Sequence, residues 1–72
     1  MSNPTLDTIQ CSIGLMEQRL IRASTLVSMA HEAIKRGEQN LAIGTLLPLQ
    51  HDFAEIDALI KTVLLLHRTR LT

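Results

Sequence analysis

Apolar residues recur along this chain in two ladders that alternate steps of three and four residues. The first ladder consists of Leu6, Ile9, Ile13, Met16, Leu20, Ala23, Val27, Ala30 and Ile34. The second ladder consists of Ala42, Leu46, Leu49, Phe53, Ile56, Ile60 and Val63. This spacing is typical of the seam of a coiled coil or of an antiparallel helix pair. We therefore predict two long helices that pack against each other along these ladders.

The first helix has recognisable signals at both ends. Asn3 is a residue type that caps helix N-termini, and Pro4 suits the first helical position, where its missing N–H costs nothing. At the other end, Arg36 complements the negative end of the helix dipole, and Gly37 can adopt the left-handed conformation of a C-cap. The first helix is thus predicted over about residues 4–36.

The entry to the second helix is ambiguous. Residues 37–40 form a short polar turn in this interpretation, and Asn40 could cap the helix that follows. Gly44 weakens a helix at this point, and Pro48 removes one backbone hydrogen bond and presses on the residue four positions earlier.

Two solutions fit this entry. In one, the second helix begins near residue 41 and is kinked at Pro48. In the other, residues 41–44 form a turn and Thr45 caps a shorter helix with Pro48 in its first turn. We favour the first solution, a kinked helix over about residues 41–70.

The short polar connection makes the two helices antiparallel neighbours. The predicted fold is all-α, an antiparallel two-helix hairpin that forms a single domain over residues 1–72.

More large apolar residues are present than the two ladders use. Burying a Leu or Ile side chain fully is worth about 1.5–3 kcal/mol relative to leaving it in water. A hairpin of this size has only a few kcal/mol of stability of its own, so the surplus predicts assembly with another chain. The residues predicted to bind a partner are Leu15, Leu26, Met29, Leu59, Leu64, Leu65 and Leu66.

Composition narrows the class of partner. The chain has 72 residues, one cysteine, and seven acidic against seven basic residues. A single cysteine cannot form an internal disulfide. A net charge of zero does not favour a polyanion, so we expect no nucleic-acid binding.

Nothing in the sequence predicts a membrane or secretory location. The N-terminus lacks a basic segment followed by an apolar stretch, so no signal peptide is expected. The longest continuous apolar run, Val63 to Leu66, is too short to span a bilayer. The expected location is the cytoplasm.

The candidate chemical groups do not form a reactive site. His31, His51 and His67 are too far apart in sequence to be a local pair of metal ligands. Cys11 falls opposite the first ladder, with no cation nearby, and is expected to be exposed or covered by a partner. No catalytic, cofactor-binding or metal-binding residue is predicted, and an enzyme is not expected.

The chain resembles the small helical-hairpin co-chaperones of type III secretion needle subunits, the YscE type. Those proteins have a long first helix that ends in Arg-Gly and a second helix that starts with glutamines and finishes with aliphatic residues. The matching residues here are Ala33, Ile34, Lys35, Arg36, Gly37, Gln50, Ala54, Glu55, Ile56, Ile60 and Val63. The resemblance covers about residues 15–66.

This resemblance implies a specific role. A hairpin of this family docks on a helical-repeat chaperone, and together they keep a needle subunit from polymerising before export. The competing hypothesis is self-assembly, in which two copies form a four-helix bundle and act as a small regulator.

Overall fold

The computed structural model describes the backbone of residues 3–71 and the side chains of residues 3–69. Helix α1 spans Pro4–Lys35 and helix α2 spans Gln39–Leu71. The two helices pack side by side and antiparallel over a molecule that measures 54 × 20 × 12 Å. The predicted antiparallel two-helix hairpin is confirmed.

The N-terminus of α1 is capped as the sequence predicts. The side-chain oxygen of Asn3 accepts hydrogen bonds from the backbone N–H groups of Thr5, at 3.0 Å, and Leu6, at 3.3 Å. Pro4 occupies the first helical position, where no hydrogen-bond donor is needed. The cap therefore satisfies two of the donors that a helix start leaves free.

The C-terminus of α1 is closed by a Schellman motif. The N–H of Glu38 donates to the carbonyl of Ala33, and the N–H of Gly37 donates to the carbonyl of Ile34, both at 3.0 Å. Gly37 has a φ of +78°, so the predicted left-handed conformation is confirmed. The motif turns the chain within a few residues and makes the antiparallel return possible.

Two glycine substitutions are expected to have opposite effects on stability. Gly37→Ala places a Cβ on a left-handed residue and should cost about 1 kcal/mol. Gly14→Ala lies inside α1, where an added Cβ meets no atom within 4 Å, and should gain about 0.5–1 kcal/mol. Urea denaturation followed by circular dichroism measures both effects. Equal shifts in the two variants would contradict the C-cap.

The beginning of α2 differs from the sequence prediction. The helix starts at Gln39, two residues before the predicted position, so Asn40 lies inside it and does not cap it. The N–H of Ala42 donates to the carbonyl of Glu38 at 3.0 Å, which places the first helical hydrogen bond at that residue. The prediction that Asn40 caps α2 is wrong, because the chain passes from the Schellman motif directly into α2.

Helix α2 is continuous through Pro48. The alternative with a turn over residues 41–44 and a cap at Thr45 is wrong, because the hydroxyl of Thr45 donates backwards to the carbonyl of Leu41 at 2.8 Å. Gly44 stands four residues before Pro48, which has no N–H to donate to its carbonyl.

The helices meet along a seam that shares only half of its positions with the predicted ladders. The seam consists of the buried and half-buried positions that recur every three and four residues. In α1 these are Ile9, Ser12, Met16, Arg19, Ala23, Leu26, Ala30 and Ala33. In α2 they are Ala42, Thr45, Leu49, Asp52, Ile56, Leu59, Val63 and Leu66.

The ladder prediction is wrong at every second position, where the seam runs through the residue before the predicted one. In α1 the large side chains displaced from the seam are 48–52% exposed, and they are Ile13, Leu20, Val27 and Ile34. In this alignment Arg19 reaches Glu55 and Arg22 reaches Asp52 across the helices. Near the turn, Ala30, Ala33 and Ala42 form a buried cluster.

The buried core is thin. Among the described residues, the buried apolar side chains are Ala23, Ala30, Ala33, Ala42, Leu49 and Ile56. The radius of gyration is 16.7 Å, whereas a compact domain of this length has a value of about 11 Å. The accessible surface is 5544 Å², and a folded monomer of this mass exposes about 4,450 Å². The hairpin alone therefore leaves roughly 1,100 Å² more surface in water than is usual.

Candidate protein interaction surface

One broad side of the hairpin is apolar along most of its length. We name it the apolar face, and its side chains are each 36–53% exposed. The apolar face consists of Leu6, Ile13, Leu20, Val27 and Ile34 in α1 and of Leu46, Phe53 and Ile60 in α2. Within each helix these residues recur every seven positions, close to two turns, so successive members lie on nearly the same side.

Interhelical ion pairs establish how the two helices are aligned. Arg19 contacts Glu55 and Arg22 contacts Asp52, so three residues forward in α1 correspond to three residues backward in α2. The same alignment arranges the apolar face in layers. To within one residue, this alignment places Ile13 level with Ile60, Leu20 level with Phe53, and Val27 level with Leu46.

The apolar face is continuous from one helix to the other near the turn. A shallow groove there is lined by Val27 and Ile34 of α1 together with Ile43 and Leu46 of α2. Ile43 is 52% exposed and extends the apolar face at its edge. The face is therefore a single surface that crosses the interhelical groove.

The opposite broad side, named the ion-pair face, is chemically different. Its residues are Leu15, Arg22, Met29 and Arg36 in α1 and Leu41, Pro48 and Glu55 in α2. Nε of Arg19 donates to Oε2 of Glu55 at 2.6 Å across the helices, and Nε2 of His51 lies 2.6 Å from Oε1 of the same carboxylate. The hydrogen bond from Arg19 lowers the pKa of Glu55, which keeps this carboxylate ionised. This side also carries exposed apolar groups, since Leu15, Met29 and Leu41 are 40–54% exposed, and it differs from the apolar face in its ion pairs.

Asp52 is a charged residue inside the seam. Its exposure is 2%, and Nε of Arg22 lies 3.2 Å from its Oδ2. The contact does not have hydrogen-bond geometry, so this buried oxygen is paired by charge alone. A buried carboxylate with so little compensation opposes folding unless its cation stays in place.

The residues predicted to bind a partner do not form one surface. The seam contains three of them half-buried, Leu26, Leu59 and Leu66. The ion-pair face contains Leu15 and Met29. Leu64 borders the apolar face, and Leu65 points away from the contact between the two helices. The interpretation of Leu26, Leu59 and Leu66 as surplus is corrected, because the displaced seam uses them.

Sequence reasoning missed the apolar face because its residues were assigned to the seam. One signal in the sequence could have found it. Arg19 and Arg22 in the first helix and Asp52 and Glu55 in the second have opposite charges at the same three-residue spacing, and pairing them across the hairpin favours the displaced seam.

The described residues contain no group of three or more His, Cys, Asp or Glu side chains placed to hold a metal ion. Cys11 is exposed, as predicted. Within the same part of the chain, neither helix is long and apolar enough to cross a membrane.

Comparison with protein-family models, with curated proteins and with solved structures gave no match to this chain. The fold and the exposed side chains define it as a small two-helix hairpin with one apolar broad side.

Proposed function

We propose that this chain is a non-enzymatic protein–protein interaction subunit that serves as a cytoplasmic bacterial co-chaperone or adaptor for a type III secretion needle subunit. The observation that carries the proposal is the apolar face. Eight large aliphatic or aromatic side chains occupy it, and each is at least 36% exposed in the isolated hairpin.

The size of the exposed surface supports an assembled state. A standard protein interface buries about 800 Å² on each partner. The hairpin exposes roughly 1,100 Å² more than a compact monomer of its mass. Covering the apolar face would bring the exposed surface of the chain into the range that is normal for its mass. Contiguous apolar patches on soluble proteins commonly mark interaction sites.

The chemistry of the surface supports a helical partner. Side chains spaced every seven residues on two antiparallel helices present ridges that pack into the grooves of other helices. The chain has no net charge, so the apolar contact is the main source of affinity. The more specific role, protection of a needle subunit together with a helical-repeat chaperone, rests on the resemblance of residues 33–37 and of the second helix to that family.

Co-expression tests this role. The chain is produced with the needle subunit and the helical-repeat chaperone of its own organism, and soluble complexes are isolated through a tag on the needle subunit. We expect the wild-type chain and Gln18→Glu to co-purify, because Gln18 is exposed and does not line the groove that contains Ile13 and Leu20. Leu20→Glu, which places a charge at the centre of the apolar face, should not co-purify. A needle subunit that stays equally soluble without this chain would contradict the co-chaperone role.

A further inference from the structure

We propose that a second copy of this chain covers the apolar face, forming a four-helix bundle in which the two interhelical turns lie at opposite ends. The inference rests on the proposed function in taking the apolar face as an interface, and it names the partner of the free chain.

The apolar face has the internal symmetry that such a dimer needs. In α1 its residues extend equally on both sides of Leu20, and in α2 they extend equally on both sides of Phe53. The ion-pair alignment places these two residues at the same level of the hairpin. A two-fold axis that crosses both helices at this level therefore places the apolar residues of α1 opposite those of α1 in the second copy. It places the apolar residues of α2 opposite those of α2 in the second copy.

The resulting contacts between the two apolar faces join large aliphatic and aromatic side chains. Leu20 meets Leu20 of the second copy, and Phe53 meets Phe53. Ile13 lies opposite Val27 of the second copy, and Ile60 lies opposite Leu46. Every helix in this arrangement has antiparallel neighbours, which is the usual packing of a four-helix bundle.

The edges of the apolar face match under the same symmetry. Ile43 and Leu64 stand on the outer edge of α2 and are 52% and 48% exposed. The axis brings Ile43 of one copy to Leu64 of the other, within one residue or about 1.5 Å along the helix. Between them, Gln50 comes level with Asp57, and the pair can form a hydrogen bond.

The other face-to-face dimer, with both turns at the same end, lacks this match. It places α1 of one copy on α2 of the other, which brings Glu17 against Asp57 twice by symmetry. Like charges in contact at an interface are unfavourable. It also sets Ile43 against His31 and leaves Leu64 against a polar residue. Charge and apolar complementarity thus both favour turns at opposite ends.

Sedimentation equilibrium of the purified chain tests the dimer. We expect a dimer at micromolar concentration. Leu20→Glu should raise its dissociation constant about 100-fold, because two charges would be buried at the centre of the interface. Gln18→Glu introduces the same charge at an exposed position outside the groove that Leu20 lines, and it should leave the constant nearly unchanged. Circular dichroism at the same concentrations separates loss of the dimer from loss of helix.

Spin-label distances test the orientation without disturbing the interface. In a Cys11→Ser background, a label at Lys35→Cys marks the turn end of each copy. Turns at opposite ends place the two labelled positions about 45 Å apart at 1.5 Å per residue. Turns at the same end place them within about 20 Å, given interaxial distances of 8–10 Å.

The outcomes separate this inference from the proposed function. A dimer with the long distance supports the inference, and a dimer with the short distance overturns it. A cooperatively folded monomer that captures the helical-repeat chaperone also overturns the inference, while the adaptor role stands. A dimer that binds neither the chaperone nor the needle subunit supports the inference and contradicts the adaptor role.

Discussion

Leu49→Ala is expected to destabilise the hairpin by about 2–5 kcal/mol, because it leaves a cavity in a core with few other large side chains. Leu49 is 8% exposed and, with Ile56, is one of two buried apolar residues larger than alanine among the described positions. A chain of this size has only a few kcal/mol of stability in total, so the cooperative unfolding transition should be largely lost.

Leu47→Ala is the matched control for this substitution. It makes the same chemical change in the same helix, but Leu47 is 61% exposed. Its effect should stay within about 0.5 kcal/mol. Urea denaturation monitored by circular dichroism compares the two variants, and similar losses of stability would show that the seam does not run through Leu49.

The buried ion pair predicts a second large effect. Arg22→Ala should cost about 1–3 kcal/mol, because it leaves the carboxylate of Asp52 buried without a counter-charge. Asp52→Leu should be neutral or stabilising, since it removes the buried charge as well as the need for its partner. The double variant should resemble Asp52→Leu alone, because Arg22 no longer has a charge to compensate.

An exposed ion pair provides the comparison. Nζ of Lys61 lies 2.7 Å from Oδ2 of Asp57, and both side chains are more than 60% exposed. Lys61→Ala should therefore produce no measurable change in the midpoint of thermal unfolding. An Arg22→Ala variant as stable as Lys61→Ala would show that Asp52 is hydrated in solution.

Asp52 also illustrates what a buried charge can contribute apart from stability. A carboxylate in the seam can be compensated only when Arg22 stands beside it, so shifted alignments of the two helices leave it unpaired. Polar residues at seam positions are known to select alignment and oligomeric state in coiled coils. We expect Asp52→Leu to gain stability and to lose part of this selectivity.

Local signals were sufficient to predict the elements of the fold. The Asn3 cap, Pro4 in the first helical position and Gly37 in the C-cap act within a few residues of themselves, so they can be recognised without tertiary information. The start of α2 could not be placed in the same way. It depends on the direction in which the chain leaves the Schellman motif. That direction outweighs the capping preference of Asn40.

The apolar spacing and the end signals are local, and they suffice to predict a pair of long amphipathic helices joined by a glycine turn, with more apolar surface than two helices can bury. Which apolar residues are hidden depends on how the helices are aligned. Eight ladder residues also belong to the seam, and they are Ile9, Met16, Ala23, Ala30, Ala42, Leu49, Ile56 and Val63. All the other seam positions but Leu66 lie one residue before a ladder residue, in an alignment that pairs Arg19 with Glu55 and Arg22 with Asp52. Because this alignment joins residues far apart in the chain, only the packed helices show that the large side chains of the ladder are left on one exposed side as the candidate interaction surface.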